Sequence, residues 1–294
     1  MSKKNGGSKA YRIFSLIVLI ILAILFLFPL YWILTGALKT PAAINARTPQ
    51  WIPSEVTLRN FETLFSKRSA PLFQFGSFVG PTVPAAIRWL LNTVFMAIAA
   101  MILTCITAAM AGYALAKKRF IGRTLLFSLI VAAMALPKQV ILIPLIREMS
   151  KLGLYDTIWA VIFPTVGWPF GVFLMKQFSE GIPGEMLEAA RIDGAGEWKT
   201  FSTIVFPMVK PGVGALAIFT FINSWNDYFL QLIMLARNVN YTISLGIATM
   251  QAENSTDYGL IMAGAALAAL PIIIVFIIFQ KYFTKGITMG AVKG

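Results

Sequence analysis

Six long runs of apolar residues, separated by shorter polar segments, dominate the chain and predict helices that cross a membrane. A helix needs about 20 mostly apolar residues to cross roughly 30 Å of hydrocarbon. The predicted spans are residues 13–38, 89–116, 124–146, 157–178, 212–235 and 259–282. The third span contains Pro137 and Pro144, and the fourth is interrupted by Pro164, Gly167 and Pro169. We therefore expect an all-α polytopic membrane protein with about six transmembrane helices.

The composition excludes most soluble classes of protein. Hydrophobic residues make up 58% of the 294 residues, and charged residues only 13%, about half the share of an ordinary globular domain. A soluble enzyme, a disordered chain and a secreted disulfide scaffold are therefore excluded. The sequence has no histidine, and Cys105 is its only cysteine, so an intrachain disulfide and histidine-based acid–base or zinc chemistry are excluded too. We expect no cofactor and no metal.

Positive charges predict which ends of the spans face the cytoplasm. The net charge of +13 would suggest nucleic acid in a soluble protein, but the basic residues lie beside the apolar runs, so we expect no nucleic-acid partner. They cluster before the first span, between the second and third, and after the last: Lys3, Lys4, Lys9, Arg12, Lys117, Lys118, Arg119, Arg123, Lys281, Lys285 and Lys293. Cytoplasmic loops carry excess Lys and Arg. This predicts cytoplasmic tails at residues 1–12 and 283–294 around a transmembrane domain at residues 13–282.

The first apolar run and the long loop at residues 39–88 each have a distinctive composition. The first apolar run could be a cleaved signal peptide, because basic residues precede it, but it is too long and no small-x-small cleavage site follows promptly. The long outer loop at residues 39–88 is rich in Pro, Gly, Phe and Ser. We expect this loop to pack on the outer surface rather than to form its own domain.

The cytoplasmic segment at residues 179–211 holds five of the twelve acidic residues and predicts a hairpin of two short helices. Pro183 and Gly184 begin the first helix, and Gly194 ends it. Apolar residues then recur at helical spacing on one face of a second helix: Trp198, Phe201 and Val205. We expect Pro207 to end that helix. Its apolar face needs a partner, either lipid headgroups or another protein.

A spaced motif runs through this hairpin. Its residues, in register, are Glu188, Ala189, Ala190, Gly194, Ile204 and Pro207. The pattern resembles the EAA loop of permease subunits of bacterial ATP-binding-cassette importers, whose usual form is E-A-A-x3-G-x9-I-x-L-P. Phe206 stands where the leucine is usual, and Asp193 and Ala195 flank the glycine as in the carbohydrate branch.

The resemblance extends over nearly the whole chain, except for residues 69–86. The matching segments outside the loop are Ile182-Pro183, Phe28-Pro29-Leu30, Ile143-Pro144-Leu145, Trp225-Asn226-Asp227 and the C-terminal Gly290-Ala291-Val292-Lys293-Gly294. The chain is therefore similar to carbohydrate-uptake permeases of the maltose-transporter type.

This resemblance implies a function, a location and partners. Such permeases form half of the translocation pathway for a sugar or oligosaccharide in the bacterial cell membrane and work by alternating access. The implied partners are a second related permease, two copies of an ATPase subunit, an extracytoplasmic solute-binding protein and the lipid bilayer. The residues implied to couple to the ATPase are Glu188, Ala189, Ala190, Asp193, Gly194 and Ala195. The chain lacks the G-x-x-x-x-G-K-[ST] pattern that cradles nucleotide phosphates, so we expect no ATPase site of its own.

Polar residues inside the spans are candidates for the substrate pathway, because polar groups at membrane depth are costly. In the fifth span Asn223, Asn226 and Asp227 can share one helix face, and Tyr228 follows them. Carboxamides and aromatic rings suit a sugar, but the same residues can instead hydrogen-bond neighbouring helices. Lys138 has three alternatives: it can pair with Asp227, bond a carbonyl freed by Pro137, or reach the outer interface.

Two other classes of function compete with an ATP-driven permease. An ion-coupled secondary transporter of a small polar solute needs titratable groups in the middle of its bundle, and only Asp227 and Lys138 are available. A membrane-embedded enzyme needs a nucleophile or a metal cluster. The sequence has no histidine, so it lacks a common general base and metal ligand for such an enzyme.

Overall fold

Helices dominate the computed structural model of this protein, which describes residues 9–75, 77–252 and 257–291. The helices are α1 (Lys9–Ala37), α2 (Pro41–Ile44), α3 (Arg59–Ser66), α4 (Ala85–Lys117), α5 (Arg123–Ala133), α6 (Leu142–Lys151), α7 (Trp159–Val166), α8 (Pro169–Glu180), α9 (Gly184–Ile192), α10 (Glu197–Thr200), α11 (Phe206–Asn226), α12 (Tyr228–Met234), α13 (Ile243–Ala252) and α14 (Tyr258–Ala291). Lys3, Lys4, Lys293 and the end of the C-terminal motif at residues 292–294 lie outside the described residues.

Four short strands lie in the long loop at residues 39–88, where the sequence predicts none. They are β1 (Ser69–Pro71), β2 (Gln74–Phe75), β3 (Phe78–Val79) and β4 (Thr82–Pro84). β1 pairs with β4, and β2 pairs with β3, both antiparallel. The strands fill the part of the chain for which no resemblance was found.

The prediction of about six membrane spans is confirmed for the described part of the chain. Five segments are long and apolar enough to cross a membrane: Tyr11–Ala37, Ala85–Lys117, Trp159–Glu180, Glu197–Asn226 and Tyr258–Ile278. A sixth is available if the bent pair Arg123–Ala133 and Lys138–Lys151 counts as one span.

The third predicted span, residues 124–146, is not one straight helix. α5 ends at Ala133, a 3-10 turn covers Lys138–Ile141, and α6 follows, with 101° between the two helical parts. Pro137 explains the break, because proline has no N–H to donate and disfavours helical conformation in the residue before it. Pro144 lies in the first turn of α6, where a missing N–H leaves no bond unmade.

The fifth span begins and ends earlier than the predicted residues 212–235. A π-helical turn at Phe201–Val205 joins α10 to α11, so the helix runs from Glu197 to Asn226. The expectation that Pro207 ends the second hairpin helix is therefore wrong. Pro207 lies at the start of α11, directly after the wider π turn, where its ring is tolerated. The helix stops at Asp227, which caps α12.

The chain divides into two compact units, one built from residues up to Arg68 with Ile247–Leu267, the other from Ser69–Gly246 with the residues from Ala268 onward. In the first unit, the buried side chain of Asn60 closes the end of α1. Its amide donates to the carbonyl oxygens of Ala37 (2.9 Å) and Lys39 (2.8 Å). These bonds satisfy acceptors that the end of a helix leaves free.

In the second unit, α4 is the central helix and packs against α7, α8 and α11. Gly112 of α4 lies at the crossing with α8, where an added Cβ would be 2.6 Å from the backbone nitrogen of Lys176. Small residues let membrane helices approach closely. One apolar cluster along α4 surrounds Met96 and Ile162, and another surrounds Met175 and Leu216.

Asp156 ties the loop between α6 and α7 to the segment after α12. Its Oδ1 accepts hydrogen bonds from the backbone N–H groups of Ala236 (2.8 Å) and Arg237 (3.0 Å), and its Oδ2 accepts from the guanidinium of Arg237. Burial by itself would raise the pKa of Asp156, but the bonds from Arg237, Ala236 and Asn240 lower it below the ordinary value of 3.8. Asp156 thus acts as a charged clamp.

We expect Asp156→Ala to lower the free energy of unfolding by about 2–4 kcal/mol, because two backbone N–H groups and a guanidinium lose their acceptor. A group with a lowered pKa stabilises the fold above its unfolded pKa, and this contribution is lost as the pH falls through the folded value. The deficit should therefore be full at neutral pH and shrink in acid. Thermal denaturation in detergent measures it, with the exposed Asp193→Ala as control. If both variants lost the same stability, the hydrogen bonds of Asp156 would not stabilise the fold.

Candidate functional site

The first helix of the hairpin at residues 179–211, α9, ends in a Schellman motif centred on Gly194. Gly194 has a φ of +73°, and its N–H donates to the carbonyl of Arg191 (3.1 Å). The N–H of Ala195 donates to the carbonyl of Ala190 (2.9 Å). These two bonds define the motif and need a left-handed residue, which glycine supplies without strain. The prediction that Gly194 ends this helix is confirmed.

The apolar face of the second hairpin helix is largely covered by the chain itself. Phe201 and Val205 are buried, and the ring of Phe201 lies 5.8 Å from that of Tyr113 at the end of α4. The expectation that this face needs lipid or another protein is therefore wrong for these two residues. The reason is that the helix continues into the span and brings them onto the core. Trp198, one turn earlier, remains exposed.

Two lysines at the end of α4 hold the hairpin in place. The Lys117 Nζ donates to the carbonyl oxygens of Glu180 (3.0 Å) and Ile182 (2.6 Å). Lys118 forms an ion pair with Glu197, 79 residues away in sequence. Burial by itself would lower the pKa of Lys118, but its bonds to Glu197 and Tyr113 raise it above 10.5. The same charges that predict orientation therefore also fix the hairpin, which sequence reasoning missed.

The tip of the hairpin carries small and apolar groups on the exposed surface of the chain. Of the EAA-loop residues, Glu188, Ala189, Asp193 and Gly194 are exposed, Ala195 is half-buried, and Ala190 is buried. Large exposed side chains flank them: Met186, Trp198 and Ile192, which is 87% exposed. An exposed apolar surface of this kind is typical of a contact with another protein.

A cavity of about 500 Å³ lies in the second unit, at the places where helices break or end. It adjoins the bend after α5, the break between α7 and α8, and the end of α11. Its polar lining residues are Lys138, Gln139, Thr165, Asn223, Ser224 and Asp227. Its aromatic lining residues are Trp168, Phe170 and Phe229. Broken helices are a common way to build a solute site inside a membrane bundle.

An ion pair crosses the lining of this cavity. The Nζ of Lys138 lies 3.0 Å from the Oδ2 of Asp227. Of the three alternatives for Lys138, pairing with Asp227 is the one that the structure shows. The other carboxylate oxygen of Asp227 accepts a hydrogen bond from the N–H of Leu230 (3.3 Å) and caps α12.

Two of the four predicted pathway residues line the cavity, and two do not. Asn223 and Asp227 are in its lining, whereas Asn226 and Tyr228 are exposed elsewhere. The side-chain amides of Asn223 and Asn226 donate to carbonyls one turn earlier in their own helix, at 2.8 and 2.9 Å. The alternative role of these residues was to hydrogen-bond a neighbouring helix. Asp227 makes such a bond, to Lys138, whereas the two asparagines bond only within their own helix.

Sequence reasoning missed several residues of the cavity, among them Ser224, Trp168 and Phe170. Ser224 is 1% exposed, and its hydroxyl has no hydrogen-bond partner among the described residues. Trp168 and Phe170 lie with their ring centroids 4.9 Å apart. The signal for Trp168 was its position between Gly167 and Pro169, which indicates a helix break but not what the break encloses.

Comparison with known families decides the class of this protein. Residues 106–289 match the family described as the binding-protein-dependent transport system inner membrane component. The chain belongs to this family. It is thus a multi-pass membrane component of an ATP-binding-cassette transport system, and the match does not favour an ion-coupled secondary transporter.

Two curated relatives match along almost their full length. The arabinooligosaccharides transport system permease protein AraQ of Halalkalibacterium halodurans is 34% identical over 275 residues, 93% of each chain. The melibiose/raffinose/stachyose import permease protein MelC of Bacillus subtilis is 32% identical over 295 residues, covering 99% of this chain and all of the relative. The two alignments therefore span nearly the whole of this transport-system component.

A solved structure shares the fold. A chain of a bacterial ABC transporter involved in the import of the acidic polysaccharide alginate superposes with a TM-score of 0.73. The match covers 94% of this chain and 99% of that one at 22% identity. It supports the arrangement of helices in this transport-system component.

Proposed function

We propose that this permease forms half of the pathway through which an ATP-driven importer carries a sugar or oligosaccharide. The observation that carries the proposal is the hairpin that contains α9: Lys117 and Lys118 bind the chain on both sides of α9, and the tip exposes small and apolar residues. The relatives named for arabinooligosaccharides and for melibiose, raffinose and stachyose support a saccharide as cargo.

The hairpin couples transport to ATP hydrolysis. Glu188, Ala189, Asp193, Gly194 and Ala195 offer an exposed or half-exposed surface to an ATPase subunit, while Ala190 is buried. Because neither Ala189 nor Gly194 carries a bulky side chain, a partner backbone can approach closely. Movement of the ATPase then displaces the hairpin as one body.

A single helical segment joins the hairpin to the cavity. It runs from Glu197 through the π turn to Asn226, about 45 Å at 1.5 Å per residue. Its far end carries Asn223 and Asp227 in the cavity lining. A displacement of the hairpin is therefore transmitted along this helix to the sugar pathway, where alternating access requires it.

The complete importer contains other subunits. A second related permease supplies the other half of the pathway, two ATPase subunits supply the energy, and an extracytoplasmic binding protein delivers the sugar. The basic residues flanking the spans favour cytoplasmic termini in a bacterial cell membrane.

The test is ATP hydrolysis by purified components in lipid nanodiscs. The chain alone is expected neither to bind nor to hydrolyse ATP. Hydrolysis should appear with the ATPase subunits and rise when the sugar-loaded binding protein is added. Saturable nucleotide binding by the isolated chain, or uptake driven by an ion gradient without ATP, would refute the proposal.

A further inference from the structure

The cavity contains two opposite charges that cancel. Among the described residues that line it, Lys138 and Asp227 are the ionisable ones, and they form an ion pair at 3.0 Å. We propose that this pair keeps the cavity neutral and makes it selective for uncharged saccharides over acidic ones. The inference rests on the proposed function, because it assumes that the cavity belongs to a sugar pathway.

The rest of the lining suits an uncharged sugar ring. Asn223, Gln139 and Thr165 carry neutral hydrogen-bonding groups, which match sugar hydroxyls. Ser224 is a further lining residue, although its hydroxyl is buried away from the cavity surface. The ring of Trp168 offers an apolar surface for the face of a sugar ring.

An acidic saccharide is disfavoured by the same geometry. Its carboxylate would have to approach Asp227, which repels it, or take Lys138 away from Asp227 and leave that carboxylate unpaired. Both outcomes are costly at Asp227, whose side chain is only 19% exposed. If the charge of Asp227 is removed, Lys138 becomes available for a charge-assisted hydrogen bond to a ligand carboxylate. Asp227 is thus the residue that determines specificity for charge.

The variant Asp227→Asn removes the charge of this residue but keeps its role as the N-cap of α12. Asparagine has nearly the same size and caps helices as well as aspartate does, so the bond from Leu230 that begins α12 is retained. A matched control is Asp257→Asn. Asp257 accepts from the N–H of Leu260 (3.1 Å), three residues later, in the same capping role, and it does not line the cavity.

The assay is equilibrium binding to the permease–ATPase complex in nanodiscs without binding protein, because the binding protein applies its own selection. The probes are two neutral trisaccharides, arabinotriose and raffinose, and the acidic trigalacturonate. The wild type and Asp257→Asn are expected to prefer the neutral probes. Asp227→Asn should shift the preference toward trigalacturonate by a factor on the order of ten or more.

A second variant covers the case in which Asp227→Asn leaves an unpaired lysine and unfolds. Lys138→Met combined with Asp227→Asn makes the cavity neutral again, so it should keep the wild-type preference for the neutral probes. An unchanged preference in a folded Asp227→Asn, or a gain of trigalacturonate binding in the double variant, would overturn the inference alone. A wild-type complex that binds neither neutral probe, and whose ATPase is not stimulated when sugar-loaded binding protein is added, would overturn the proposed function itself.

Discussion

Gly194→Asp is expected to abolish sugar-stimulated ATP hydrolysis and uptake while the protein still inserts in the membrane. A side chain at φ +73° costs about 1–2 kcal/mol in the left-handed region. No atom of the described chain lies within 4 Å of an added Cβ, so no clash within the subunit opposes folding. The added carboxylate would instead lie at the exposed tip of the hairpin, where we propose that the ATPase docks.

Two comparisons separate strain from docking. Asparagine tolerates the left-handed region better than alanine does, so Gly194→Asn should keep the turn and still lose coupling, if docking is what fails. Gly153→Asp is the control, because Gly153 has a φ of +68° and equally open surroundings. One span separates it from the hairpin, so an ATPase docked there cannot reach it. Normal uptake by Gly194→Asp would remove the main support for the hairpin as coupling element.

Gly112→Val should prevent stable folding rather than alter coupling. A Cβ at this position would lie 2.6 Å from the Lys176 nitrogen and 2.6 Å from the Met175 carbonyl carbon. These are backbone atoms, so relief requires α4 and α8 to move apart. Overpacking of this kind costs about 3 kcal/mol or more. We expect a large loss of folded protein in the membrane and a lower Tm in detergent.

The control for this variant is Met110→Val on the same helix, where the side chain is exposed. It introduces the same β-branched residue into α4, so it carries the same penalty in helix propensity. Its Tm should stay close to that of the wild type. If Gly112→Val were as stable as Met110→Val, the close approach of α4 and α8 would not contribute to the fold.

The sequence alone determined the features that depend on local physical chemistry. Six apolar runs of sufficient length predicted the spans, because burying a membrane helix requires only that its own residues be apolar. Gly194 predicted the end of α9, because the left-handed turn depends on that residue itself. Pro137 lay inside the third predicted span, and the break there has a local cause, since proline alters its own backbone and its neighbour's.

Tertiary structure decided what local rules leave open. A proline predicts a break but not its direction, so the 101° bend after α5 required the surrounding helices. Pro207 failed as a stop signal, because a π turn before it and the burial of Val205 keep the helix continuous. The ion pair of Lys138 and Asp227 joins residues 89 positions apart. The cavity lies where several helix breaks and helix ends come close together. No local pattern of residues encodes that proximity.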